Sequence, residues 1–71
     1  MTALNTLTSA EQRVGNLLSQ GLSNKAIAQH LVLSIRTVEC HISKALAKTG
    51  CTSRLQLAVL LLTDAQQATE P

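Results

Sequence analysis

The chain has 71 residues, 45% of them apolar and none aromatic, and a formal net charge of +2. That length holds one small domain with a marginal core, and a core of Leu, Ile, Val and Ala favours short helices in close contact over a sheet. The longest apolar run, Leu57 to Leu62, is too short to span a bilayer and Met1 heads no export signal, so a cytoplasmic protein is expected.

In chain order, residues 1–7 show no periodicity and read as a frayed lead-in. Thr8-Ser9-Ala10-Glu11 is a capping box, with the Thr8 hydroxyl placed for the amide of Glu11 and the Glu11 carboxylate reaching back. Ala10, Val14, Leu17 and Leu18 then follow helical spacing, which predicts a first helix over about residues 9–20, ended by a left-handed Gly21. Gly15 inside it costs about 1 kcal/mol relative to Ala and marks a close helix contact.

Ser23 caps a short second helix, Asn24 to Leu31, with Ala26, Ile27 and Leu31 facing inward. Val32-Leu33 breaks its register before Ser34 caps a long helix that runs to Thr49. Two helices joined by so short a turn form a helix-turn-helix pattern, here with no glycine in the turn. Along the long helix Ile35, Val38, Ile42, Ala45, Leu46 and Thr49 fall within one arc of roughly 100°. Arg36, Cys40, Ser43 and Ala47 lie opposite, Glu39 and Lys44 on the shoulders, His41 and Lys48 on the flank. Small and hydrogen-bonding residues edged by cations suit a helix that enters a groove of DNA. Charge agrees: between residues 36 and 54 four cations face one anion, a local +3.

Gly50 stops that helix, and Ser53 with Gln56 makes another capping box for a fourth helix over about residues 54–65. Leu55, Ala58, Val59 and Leu62 share one of its faces, and Leu57, Leu60 and Leu61 the opposite one. A domain this small buries only one of them on itself, so the other meets a partner. Thr63 to Pro71 frays after one more turn.

Catalysis finds no support. The only aspartate, Asp64, lies far from His41, and no Gly-rich phosphate loop or paired carboxylates are present. Cys40, Cys51, His30 and His41 match no zinc-finger spacing, and adjacent Cys40 and His41 point about 100° apart on a helix. No metal, cofactor or enzymatic activity is expected. Single strands are a poor ligand for a chain with no aromatic side chain to stack on.

Leu7-Thr8, Gly21-Leu22-Ser23-Asn24-Lys25, Ile27-Ala28, Leu31, Ser34, Thr37-Val38, His41, Lys48, Gly50 and Ser53-Arg54 together resemble the LuxR/NarL-type (GerE-like) helix-turn-helix domain of bacterial transcription regulators, over residues 7 to 62. The resemblance implies an all-α, four-helix bundle-like fold in one domain, its core about 7–65. It also implies a third helix in the major groove and a fourth supporting homodimerisation. Glu39, Cys40 and Ser43 match the family's base-reading positions, with Arg36 close by. Many members carry lysine where Glu39 stands. This carboxylate either accepts from a cytosine amino group, or is simply solvated or paired with Arg36 one turn away, and Cys40 can lie against a thymine methyl.

Asn24, Lys25, Ser34, Thr37, His41, Lys44 and Lys48 are placed like the family's phosphate contacts. Ser34 is alternatively only a cap and Lys48 only a solubilising charge, while Arg54 suits a structural or capping role. The partners implied are double-stranded DNA, a second copy through Leu57, Leu60 and Leu61, a receiver or sensor domain, and RNA polymerase, all at the bacterial nucleoid. The competing reading is a helical protein-interaction module that works through the fourth helix.

Overall fold

The computed structural model describes residues 7–68, with side chains through residue 63; the expected fraying of residues 1–6 and of the last residues lies outside the described part. Helix α1 spans Ser9–Ser19, α2 Asn24–Leu31, α3 Ile35–Thr49 and α4 Arg54–Ala68. All of the described regular structure is helical, as expected. Among the described residues no helix is long and apolar enough to cross a membrane.

Short-range chemistry sets the helix starts. Thr8 Oγ1 accepts from the Glu11 amide at 3.1 Å and Glu11 Oε1 accepts from the Thr8 amide at 3.0 Å, completing the capping box. Ser23 caps α2 by accepting from the Ala26 amide, and Ser34 caps α3 by accepting from the Thr37 amide, each at 3.1 Å. At α4 the expected box is only half made. Ser53 Oγ accepts from the Gln56 amide, but Gln56 Oε1 turns away from Ser53 to accept from the Thr52 amide and hydroxyl at 2.8 and 3.0 Å. The helix also runs three residues beyond the expected 65, to Ala68.

Gly21 (φ 91°) follows α1 and Gly50 (φ 75°) ends α3, both left-handed as expected. In the turn between α2 and α3 the left-handed residue is Val32, at φ 58°. A β-branched side chain there costs about 1–2 kcal/mol, yet it leaves Val32 89% exposed and swings α3 across α2.

The core is built from Val14, Leu17 and Leu18 of α1, Ile27 and Ala28 of α2, Val38, Ile42 and Ala45 of α3, and Leu57 and Leu61 of α4. Each large side chain so buried contributes roughly 1.5–3 kcal/mol of apolar transfer. Helix α1 packs against both α3 and α4, and α2 lies on α3. Gly15 is what lets α4 close on α1: a Cβ there would stand 2.6 Å from Leu61 Cδ1.

Three expectations need correction. Ala28 rather than Ala26 is the buried alanine of α2, while Ile27 is buried and Leu31 packs half-buried against the core as expected. Ile35 carries the right angular position for the core stripe but, as the first residue of α3, is 44% exposed, whereas Val38 one turn on is fully buried. Most consequentially, Leu57 and Leu61 are buried in the domain and Leu60 is half-buried against its core, so this is not the face left for a partner. The free face of α4 is Leu55, Val59 and Leu62, exposed by 72%, 53% and 45%. Both faces are apolar, and the notch at Gly15 that receives Leu61 decides between them.

Candidate nucleic-acid interface

The outward face of α3 follows from the burial of the opposite stripe. With Val38, Ile42 and Ala45 pinned in the core, Arg36, Glu39, Cys40 and Ser43 are all exposed. Arg36 and Glu39 form no ion pair, so the intrahelical alternative for Glu39 is not realised and its carboxylate is free to accept. The face thus offers a guanidinium, a carboxylate, a thiol and a hydroxyl, with Ala47 continuing it as a small residue. A helix face of this size and polarity fits a major groove and has donors and an acceptor for base edges.

Beside that face the first turn of α3 presents hydroxyls and amides. Ser34 Oγ and Thr37 Oγ1 lie 2.8 Å apart and share one hydrogen bond. Two hydroxyls hold two protons and one is consumed between them, so one O–H remains for an outside acceptor whichever oxygen donates. Ser34 is therefore a cap and still belongs to a donor pair. The amides of Ile35 and Arg36 at this helix start, and of Asn24 and Lys25 at the start of α2, have no intrahelical acceptor, as at any helix N-terminus.

Asn24 is held rather than free. Its Oδ1 accepts from Arg54 Nη1, while Arg54 Nη2 donates to the Leu22 carbonyl at 2.8 Å. The guanidinium thereby ties the start of α4 to the α1–α2 connection, the structural role expected of it. It also turns the Asn24 amide so that the NH2 end is left to donate. Lys25, next along α2, is exposed.

Along the flank of α3 the residues Thr37, His41, Lys44 and Lys48 form one row, and here the structure divides them. Lys44 is exposed and unpaired among the described residues, whereas Lys48 Nζ stands 2.7 Å from Glu11 Oε1. Glu11 is only 3% exposed. The Lys48 hydrogen bond and then the Thr8 amide hold its carboxyl below the ordinary glutamate range against the opposing effect of burial. Lys48 is thus the counter-charge of a buried carboxylate, a role that competes with a phosphate contact there. A separation of 37 positions along the chain hid the pairing from sequence reasoning.

His41 is half-buried, and its Nδ1 is fully buried without a hydrogen-bond partner. It shares the wall of a small cavity with Ala10 and Arg13 of α1 and with Leu31 and Leu33. Arg13 escaped the sequence reading. A single cation on the flank of a packed helix carries no motif, and only the docking of α1 on α3 brings it to His41.

The family model of bacterial regulatory proteins, luxR family, matches residues 5–61. The chain is 45% identical over 56 residues to the spore germination protein GerE of Bacillus subtilis, covering 79% of this chain and 76% of that protein. It is 45% identical over 56 residues to the DNA-binding transcriptional activator DevR/DosR of Mycobacterium tuberculosis, covering 79% and 26%. It is 50% identical over 50 residues to the response regulator Rre1 of Synechocystis, covering 70% and 22%. Across these and related mycobacterial regulators the chain spans from 6% to 76% of the relative's length. No solved structure matches the chain.

Proposed function

The chain belongs to the luxR family of bacterial regulatory proteins, and on that footing we propose that it binds double-stranded DNA sequence-specifically as a homodimer, with α3 in the major groove. Its relatives are transcription regulators rather than enzymes, and they disfavour protein interaction through α4 as the chain's main activity. The observation that carries the proposal is the exposed, unpaired polar face of α3 lying beside a row of phosphate donors.

Arg36, Glu39, Cys40 and Ser43 read base edges: Arg36 donates to guanine, Glu39 accepts from the cytosine amino group, and Cys40 lies against a thymine methyl. Asn24, Lys25, the Ser34–Thr37 pair, His41 and Lys44 hold the phosphates and fix the register of α3. Leu55, Val59 and Leu62 of α4 form the contact between two copies, which sets the half-sites about one helical turn apart. A receiver or sensor domain and RNA polymerase are further proposed partners in the bacterial cytoplasm and nucleoid, supported by the likeness to the response regulator Rre1.

The test is selection of bound sequences from a random duplex pool, followed by titration of the selected duplex and a scrambled one by fluorescence anisotropy across a salt series. The expected outcome is a dyad-symmetric site bound about a thousandfold or more tighter than the scrambled duplex. Equal affinity for both at every salt concentration would remove sequence specificity from the proposal. In the same assay Lys44→Ala is expected to weaken binding to all sequences alike and to lower the salt slope by about one.

A further inference from the structure

We propose that Arg13 and His41 form a phosphodiester seat that extends the DNA contact from the helix-turn-helix onto α1. This rests on the proposed DNA binding and adds to it a residue outside the helix-turn-helix. The cavity between them has a volume of about 130 Å³ and is walled by Ala10, Arg13, Leu31, Leu33 and His41. It lies against the flank of α3 that carries Thr37 one turn before His41 and Lys44 one turn after, so it continues the row of phosphate donors.

The charges around the cavity favour an anion. Arg13 is exposed and makes no ion pair among the described residues. The nearby carboxylate, Glu11, is buried and already neutralised by Lys48. His41 supplies the second donor. Its Nδ1 is buried without a hydrogen-bond partner, which leaves Nε2 as the ring nitrogen open to donate to an outside acceptor. Ala10, Leu31 and Leu33 give the cavity apolar walls, which suit the deoxyribose beside a backbone phosphate better than a bare inorganic anion.

Binding of a short mixed-sequence duplex, measured by anisotropy across a salt series, tests the seat with Arg13→Ala, Arg13→Lys and Lys44→Ala. Arg13→Ala is expected to weaken binding three- to tenfold and to lower the salt slope by about one, while Arg13→Lys keeps the slope. Because Arg13 is exposed, its variants are expected to melt with the parent chain. Ring nitrogen spectra of His41 are expected to shift on adding duplex. If Lys44→Ala weakens binding and Arg13→Ala does not, the seat is wrong and the proposed DNA binding stands. If the parent chain binds no duplex, the proposed function itself fails. Inorganic phosphate shifting the His41 ring as strongly as duplex, with an unchanged slope in Arg13→Ala, overturns the seat in favour of a free-anion site.

Discussion

Helices α3 and α4 are the same length, each buries one stripe in the same core, and they differ in what they leave outside. The outer face of α3 is polar, small and edged by cations, and that of α4 is an apolar ridge. An isolated polar face needs no partner, but its donors and acceptor match groove edges and phosphates. An exposed ridge of Leu55, Val59 and Leu62 loses free energy to water until something covers it. On the proposed function one helix meets a polyanion and the other another apolar surface, and the core behind both is shared. That division can be broken at three places, with successively smaller effects.

The largest effect should appear at α4. Leu57→Ala removes a fully buried side chain and is expected to cost about 3 kcal/mol in monomer stability, whereas Leu55→Ala is expected to cost under about 0.5 kcal/mol. Chemical denaturation of the two variants reads the difference, and sedimentation at rising concentration should show Leu55→Ala weakening self-association instead. The reverse pattern would restore Leu57, Leu60 and Leu61 as the outward face.

An intermediate effect is expected at the flank of α3. Lys48→Met leaves the buried Glu11 carboxylate without its counter-charge, and solvent access on the lysine side holds the loss to about 2 kcal/mol. The sign of the pH dependence follows from the direction of the Glu11 shift. A carboxyl lowered in the folded state stabilises fully above its unfolded titration range and loses that contribution as pH falls through the lower folded value. The parent chain should therefore lose stability progressively as pH falls below the ordinary glutamate value of 4.5, and Lys48→Met should show a flatter profile in that acid range. An equally steep acid loss in Lys48→Met would place the titrating group elsewhere.

How much of this was legible from residues alone depended on distance along the chain. The caps at Thr8, Ser23 and Ser34 were readable because each hydroxyl meets an amide three residues ahead. The outer face of α3 was readable because one helical period fixes it once the apolar stripe is known. The Lys48–Glu11 pair, the Arg54–Asn24 bond and the meeting of Arg13 with His41 join helices far apart in sequence, and nothing local announces them. The faces of α4 failed for another reason. Both are leucine-rich, so hydrophobicity could not rank them, and the deciding feature is the absence of a side chain on α1.

That absence supplies the smallest and most discriminating test. Gly15→Ala has two opposed consequences. Alanine in a helix interior is favoured over glycine by about 1 kcal/mol. Against this, the new methyl would sit 2.6 Å from Leu61 Cδ1, so the end of that side chain must swing aside and repack at a cost of about 1 kcal/mol. The two nearly cancel, and the melting temperature is expected to move by less than about 3 °C in either direction. Had Leu61 pointed to solvent, nothing would oppose the gain, and the same substitution would raise the melting temperature by about 5 °C. Gly15→Val separates the cases further. Its branched side chain gains less in the helix and fills more of the notch, so a net destabilisation of about 1 kcal/mol is expected only if α4 docks through Leu57 and Leu61.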